Sequence, residues 1–201
     1  MGKTRESEVR IQRLEQQLGV FQKISRLMVR DMSLNDTLQA VVQLVSDFTH
    51  ADSCLIYLFD DEELVLCASS AAHRAGLGKV RLKLNEGLTG WVARERRMVA
   101  IPAEAYKDAR FKNFSDLPED TFEAFLSVPV IARNRVIGVI NVQHRQPHRH
   151  SGAEMELLTT VGEQVGCLLV LARMAPAAVE TANHADLVIA AQPAAPPAPH
   201  L

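Results

Sequence analysis

The chain has few cysteines, little net charge and no disulfide-type spacing. Only three of its 201 residues are cysteine, and Cys54, Cys67 and Cys167 lie far apart. An odd number of widely spaced cysteines argues against a disulfide framework and fits a reducing cytoplasm, where we expect the protein to reside. The formal net charge of −2 gives no general attraction to nucleic acid or anionic membrane, so neither is expected as a partner.

Long apolar runs and a secretory leader are also missing. No uninterrupted apolar run reaches the roughly 18 residues that suggest a membrane span, and the N-terminal sequence MGKTRESEVR is polar. No phosphate-binding glycine loop, zinc-protease helix, nucleophile elbow or helix-turn-helix is present. We therefore expect no catalytic activity. Any signal has to pass to a partner protein, unless the chain is a piece of a longer one.

What the chain does contain begins with a helical pattern over residues 5–30. Its apolar residues repeat at spacings of three, four, three and seven, with Ser25 in the gap, and form an a/d seam of about three heptads: Ile11, Leu14, Leu18, Phe21 and Met28. The helix could lie on the core of its own domain, or it could pair two chains. The narrow stripe favours pairing, so residues 1–32 are predicted to form a coiled-coil arm.

A second stripe follows the predicted capping box of Ser151 and Glu154. It comprises Leu158, Val161, Val165 and Leu168, spaced as in a coiled coil. Both stripes are predicted to contribute to a homodimer interface. The remaining residues, 174–201, are rich in Ala and Pro and are predicted to be disordered.

Between the stripes the pattern alternates between helix and strand. A helix is predicted from Ser33 to His50, and a short one ends at Arg97. The predicted strands are Cys54–Phe59, Leu64–Ser69, Val80–Leu84, Met98–Ile101, Phe125–Ala132 and Val136–Gln143. Strands joined mainly by hairpins, with helices at the chain ends, predict an antiparallel sheet with its helices gathered on one face.

Three segments resemble known sequence motifs in a fixed order. Residues 85–93, NEGLTGWVA, resemble the EGLxGWVA segment of GAF domains, and Asp108–Phe111 resembles their DxRF loop. Residues 125–130 and 135–142 resemble the last hairpin of that family. The resemblance covers residues 33–173 and is closest to bacterial signalling GAF domains, such as those fused to phosphoenolpyruvate–protein phosphotransferases and sensor kinases. It implies an α+β fold, a PAS-like six-stranded antiparallel sheet with the terminal helices packed on one face.

The resemblance also implies a small-molecule pocket on the other face of the sheet. Known GAF ligands include cyclic nucleotides, tetrapyrroles, 2-oxoglutarate and metal–gas centres, so fold does not name the ligand, and any cofactor stays unknown. The aromatic-rich loop of residues 103–122 could cover the pocket. The predicted ligand-binding residues are Trp91, Asp108, Arg110, Phe111, Phe122, Phe125 and Ser127.

Two alternatives stay open for these residues. They could pack a second core, which would make the protein a ligand-free dimerisation scaffold. Arg110 could bind a carboxylate or phosphate, but Asp108 could instead cap a turn and pair with Arg110, the interpretation we favour.

Two further sites are weighed and set aside. No cysteine lies within residues 68–166, where the pocket loops are, which argues against a free methionine sulfoxide reductase and a covalently bound tetrapyrrole. His144, His148 and His150 cluster in sequence, and two of them could chelate a metal ion. Because no carboxylate or cysteine was identified to complete the site, a solvated loop is predicted and no metal ligand is assigned.

Overall fold

The computed structural model of the chain describes residues 2–70, 76–111 and 122–174, with side chains described between residues 7 and 172 of these ranges. The helices are α1 (Gly2–Met28), α2 (Leu34–Thr49), α3 (Gly87–Glu95) and α4 (Gly152–Met174). The strands are β1 (Ser53–Asp60), β2 (Glu63–Ser69), β3 (Arg81–Lys83), β4 (Val99–Ile101), β5 (Ala124–Ala132) and β6 (Arg135–His144). The predicted disordered tail is residues 174–201; Met174 is the last residue of α4, and residues 175–201 lie outside the described residues.

The six strands form one antiparallel sheet in the order β3-β2-β1-β6-β5-β4. The predicted α+β fold is therefore confirmed. The turn between β5 and β6 is two residues long, and Arg133 and Asn134 both have positive φ angles, 48° and 61°. That backbone conformation matches the right-handed twist of a hairpin and explains why asparagine occupies the second position.

One face of the sheet carries α1, α2 and α4 over a continuous apolar core. Both predicted capping boxes form. The backbone N–H of Asp36 donates to Ser33 Oγ over 3.1 Å, and the backbone N–H of Ser151 donates to Glu154 Oε2 over 2.6 Å. These bonds pair backbone N–H groups that have no partner within the first turns of α2 and α4. Each helix therefore begins directly after its capping serine.

The stripe on α4 corrects part of the predicted dimer interface. Leu158 and Val161 are fully buried in the domain's own core and Val165 is 1% exposed, so they cannot contact a second chain. Leu168 is half-buried. The prediction failed because Leu157 and Leu169 widen the stripe to a face that suits a sheet better than a single partner helix.

The stripe on α1 divides into two parts. Phe21 and Met28 pack against the core of the same chain, as the first interpretation of this helix expected. Ile11, Leu14 and Leu18 are 55%, 54% and 56% exposed, and they form an apolar face without a partner in the described part of the chain. Only this N-terminal half of the seam is accessible to another molecule.

Helix α4 has the length and apolar composition of a membrane span, the only described helix to do so. Its strongly apolar side faces β5, however, and Leu157, Leu158 and Val161 are fully buried there. The apolar character of α4 is accounted for by the core of the folded domain.

The opposite face of the sheet carries α3 over a second apolar core. Gly90 brings this helix onto the chain that follows β3, because a Cβ at this position would collide with the carbonyl oxygen of Lys83 and would lie 3.0 Å from that of Leu84. Both obstacles are backbone atoms, which cannot rotate away as a flexible side chain could. Glycine at position 90 therefore sets how closely α3 approaches the sheet.

Replacement of Gly90 with alanine is expected to lower the free energy of unfolding by roughly 1–3 kcal/mol, as overpacking does. Gly19 of α1 is the matched control, because nothing lies within 4 Å of an added Cβ there. Gly19→Ala should raise stability by up to about 1 kcal/mol through helix propensity. Urea denaturation of both variants tests this, and equal effects would contradict the account of α3 packing.

Candidate functional site

A surface cavity of about 540 Å³ lies beside α3, on the face of the sheet away from the terminal helices. Its lining comes from the segment before α3, from α3 itself and from the loop after β4. The lining residues are Leu84, Asn85, Glu86, Gly87, Trp91, Arg94, Ala109, Arg110 and Phe111. A concavity of this size is in the range of small-molecule sites.

The GAF-like motif builds one wall of this cavity. Gly87 has a φ of 66°, a conformation that side chains disfavour, and it turns the chain from the loop into α3. The side chain of Glu86 folds back, and its Oε2 accepts the backbone N–H of Lys83 over 3.0 Å. Helix α3 begins at Gly87, so Trp91 lies one full turn inside it and faces the cavity.

The opposite wall is fixed by an ion pair. Asp108 accepts hydrogen bonds from Arg110 Nε at 2.9 Å and from Nη2 at 2.7 Å, and it also accepts the backbone N–H of Arg110 at 2.9 Å. These bonds to the Arg110 guanidinium lower the pKa of Asp108 and raise the pKa of Arg110. The favoured interpretation, in which Asp108 caps the turn and pairs with Arg110, is confirmed.

Arg110 also lies over the indole ring of Trp91, with 4.6 Å between the guanidinium carbon and the ring centroid. This cation–π contact joins the two walls across the cavity. Of the predicted ligand residues, Trp91, Arg110 and Phe111 line the cavity, and Asp108 holds Arg110 in place.

The other three predicted ligand residues do not line it. Phe122 and Phe125 are each 3% exposed, and Phe125 belongs to the second core. Ser127 is fully buried beneath α3. Phe125 and Ser127 lie on the same side of the sheet as the cavity, but the second core and α3 cover them. Residues 112–121 of that loop, including Phe114, lie outside the described residues.

A chain of buried hydrogen bonds ties α3 to the sheet. Ser127 Oγ donates to Asn141 Oδ1 over 2.6 Å, and Asn141 Nδ2 donates to Thr89 Oγ1 over 2.8 Å. Ser127 and Asn141 are cross-strand partners on β5 and β6. The sequence pattern does not predict these hydrogen bonds, because a polar residue in a strand is expected to face solvent. Its effect is to fix the wall that carries Trp91.

The sequence analysis also missed Arg94, which lines the cavity one turn after Trp91. Arg94 donates from Nε to Glu95 Oε1 over 2.8 Å, and 48% of its side chain is exposed. The spacing of three residues between Trp91 and Arg94 was the available signal, since it places both on one side of a helix.

The three clustered histidines differ from the predicted solvated loop. His144 and His150 are only 6% and 8% exposed, while His148 is half-buried and its Nε2 lies 2.7 Å from Glu154 Oε1. Burial lowers the pKa of His144 and lowers the pKa of His150 to about 4. The prediction failed because the end of β6 and the start of α4 bring the three rings together.

The cysteines lie on the other side of the sheet from the cavity. Cys54 belongs to the core beneath the terminal helices and Cys67 packs against it, while Cys167 is exposed on α4. Burial raises the pKa of Cys54 strongly and raises the pKa of Cys67 to about 11. Both thiols are therefore protonated at neutral pH and are poor nucleophiles.

Comparisons with known proteins agree with this architecture. The profile of the GAF domain family matches residues 33–169. The protein named "Phosphoenolpyruvate-dependent phosphotransferase system" of Escherichia coli (strain K12) is 28% identical over 138 residues, 68% of this chain and 18% of that protein. The Nif-specific regulatory protein of Azospirillum lipoferum is 23% identical over 157 residues, 75% of this chain and 25% of that protein. The chain thus spans a quarter or less of either relative.

Solved structures give the same result. The GAF domain of an Acinetobacter phosphoenolpyruvate-protein phosphotransferase superposes with a TM-score of 0.73 and is 30% identical, covering 80% of this chain and 96% of that one. The free methionine-R-sulfoxide reductase of Neisseria meningitidis superposes with a TM-score of 0.67 at 15% identity, covering 78% and 90%. At this low identity, the similarity to the reductase shows a shared fold only.

Replacement of Asn141 with alanine is expected to lower the free energy of unfolding by roughly 2–4 kcal/mol, since it leaves two buried hydroxyl groups without their partner. Thr89→Val removes only one hydrogen bond at constant shape and should cost about 1 kcal/mol. Guanidinium denaturation of both variants measures the difference. Equal costs would mean that the buried chain does not hold α3 on the sheet.

Proposed function

Because this chain belongs to the GAF domain family, we propose that it is a non-catalytic sensory domain that binds a small molecule and signals through a helical dimer interface. GAF domains are generally regulatory, and the relatives include a phosphotransferase system protein and a regulatory protein. The ligand binds in the cavity beside α3. The observation that carries this proposal is the cavity wall formed by Trp91, Arg94 and Arg110.

The chemistry of the wall limits the class of ligand. Trp91 and Phe111 offer apolar surface, while Arg110 is already neutralised by Asp108. Within the described residues, Arg94 uses only its Nε to contact Glu95, so the rest of its guanidinium can orient an anionic group at the cavity mouth. A small molecule with an apolar part and a carboxylate or phosphate fits this arrangement.

The cysteines support a non-catalytic role. A thiol enzyme on this fold needs a nucleophilic cysteine beside the bound substrate, and the three cysteines of this chain lie on the helix side of the sheet or on α4. The raised pKa of Cys67, about 11, also keeps its thiol unreactive. The fold shared with methionine sulfoxide reductase therefore does not carry its chemistry to this chain.

The terminal helices provide a route by which a signal leaves the domain. Helix α4 packs on β5, the strand that carries Ser127 beneath α3. Gln164 Nε2 of α4 donates to Ser25 Oγ of α1 over 3.3 Å, so the two helices are joined. The exposed face of Ile11, Leu14 and Leu18 then pairs with the same face of a second copy as a coiled coil.

The partner of this dimer is a signalling protein, in keeping with the named relatives, and the expected compartment is the cytoplasm. A ligand-free dimerisation scaffold is the second candidate. It is favoured by the tight filling of the second core, where Tyr57, Phe125 and Val139 are almost fully buried. The two candidates differ in whether the cavity takes a ligand.

A library of small carboxylates, phosphates and amino acids is expected to contain a compound that raises the midpoint of thermal unfolding of the wild-type protein. Arg94→Gln should abolish this shift or raise the ligand concentration that it requires at least tenfold. Arg97→Gln is the matched control, because it removes the same charge from an exposed position outside the cavity. Differential scanning fluorimetry measures all three proteins.

Absence of any shift across the library would favour the scaffold. A shift that is identical in the wild type and in both arginine variants would place the ligand elsewhere on the protein.

The double substitution Leu14→Glu and Leu18→Glu is expected to convert the dimer to a monomer, because four like charges would meet in the seam of the coiled coil. Val29→Glu is the matched control, since Val29 is 85% exposed and lies just after α1. Light scattering at micromolar concentration reports the mass. A monomeric wild-type protein, or a dimer that survives both substitutions, would reject pairing through this face.

A further inference from the structure

The loop between β6 and α4 gathers three imidazoles at one point of the molecule. One ring nitrogen from each of His144, His148 and His150 lies within 4.8 Å of the others. The rings of His144 and His148 are stacked with their centroids 4.0 Å apart, and the His150 ring lies 4.9 Å from that of His148. This cluster is separate from the cavity beside α3, whose lining contains no histidine.

The buried nitrogens of the cluster lack hydrogen-bond partners. Nε2 of His144 and both ring nitrogens of His150 are buried and have no partner among the described residues. An unpaired buried ring nitrogen costs free energy, and native proteins rarely leave three such atoms together. Each neutral imidazole has one nitrogen lone pair, so a metal ion would satisfy one ring nitrogen of His144 and one of His150.

The backbone around the cluster is held in place. The backbone N–H of His148 donates to the carbonyl oxygen of Pro102 over 2.9 Å, which ties the loop to the end of β4. Glu154 accepts the backbone N–H of Ser151 and also contacts His148 Nε2 at 2.7 Å. A carboxylate on one ring nitrogen orients the imidazole and makes the other nitrogen a better metal ligand.

We propose that His144, His148 and His150 bind a divalent transition-metal ion, with Zn²⁺ as the best match. Three neutral imidazoles and one open position suit Zn²⁺, whose bonds to histidine are about 2.0–2.1 Å long. Nitrogens around such an ion are about 3.3 Å apart, so side-chain rotation has to bring the three ring nitrogens, which lie within 4.8 Å of one another, closer by up to about 1.5 Å. Glu154 acts as the positioning residue for His148.

The charges around the site are balanced. Arg145 and Arg149 flank His148 in sequence, but the guanidinium of Arg145 lies 5.8 Å from the ring of Phe122, and its backbone N–H donates to Asp52 Oδ2. The carboxylates of Asp52 and Glu154 act on His144 in the direction that favours a positive charge there. Because the cluster joins β6 to the first turn of α4, a bound ion fixes the start of that helix on the sheet.

Native mass spectrometry and titration of the full chain with Zn²⁺ test the proposal. The expected result is one zinc ion per chain, a raised midpoint of thermal unfolding, and Co²⁺ absorption bands typical of a four-coordinate site. His148→Gln, at the least buried ligand, should weaken zinc affinity at least tenfold while the metal-free protein keeps its fold by circular dichroism. His50→Asn is the matched control, because His50 is exposed and its φ of 52° is one that asparagine tolerates.

Two further variants separate the role of Glu154 in orienting His148 from its role in capping α4. Glu154→Gln should weaken zinc binding about 10-fold to 100-fold, in the range of losses when an outer carboxylate is removed. Ser151→Ala breaks the same capping box without touching His148 and should leave zinc affinity within about threefold. Failure of the wild type to bind Zn²⁺ at micromolar concentration would overturn the proposal, and so would binding that persists when all three histidines are replaced with glutamine.

Discussion

The hydrogen bonds that join Ser127, Asn141 and Thr89 are the constraint on which the candidate site depends. They cross from β5 to β6 and then to α3, and all three residues are buried. Buried polar groups are costly unless they are paired. These hydrogen bonds therefore favour the one placement of α3 on the sheet in which all three side chains are paired. That placement brings Gly90 against the backbone of Lys83 and turns Trp91 toward Arg110. The cavity is a consequence of how the helix is held.

Much of the fold is predictable from the sequence because its signals are local. The capping residues Ser33 and Ser151 mark the starts of α2 and α4, and two apolar, β-prone runs on either side of the turn at Arg133 and Asn134 mark β5 and β6. The helical stripes were harder to interpret, since spacing alone does not say what covers an apolar face. Leu158 and Val161 meet the sheet of the same chain, whereas Leu14 and Leu18 do not. Heptad spacing is the same in both cases, and only the tertiary contacts separate them.

The candidate site is less predictable for a related reason. Trp91, Arg110 and Phe111 belong to recognisable motifs, but Arg94 carries no motif signal that distinguishes it from an ordinary surface residue. Phe125 and Ser127 lie on the cavity side of the sheet, but the second core and α3 cover them, and the pattern of a strand does not show what covers it. His144 and His150 become buried only when β6, the loop and the start of α4 come together. Such convergence depends on long-range packing rather than on neighbouring residues.

The cavity and the histidine cluster have separate chemistry. The cavity beside α3 is built from an indole ring and paired charges, while the histidine cluster lies where β6 leads into α4. Both are connected to α4 through the sheet, and α4 is joined to α1 by the bond between Gln164 and Ser25. A ligand at either site can change the arrangement of the terminal helices only if the site binds it with different affinity in two states of the dimer.

The central claim is that the cavity beside α3 holds a small anionic molecule. Native mass spectrometry of the protein purified directly from its source cells measures this most directly. The account predicts an added mass of one small molecule per chain, lost on mild denaturation and absent from an Arg94→Gln variant prepared in parallel. Protein of bare polypeptide mass, or a bound molecule retained equally by the variant, would contradict it.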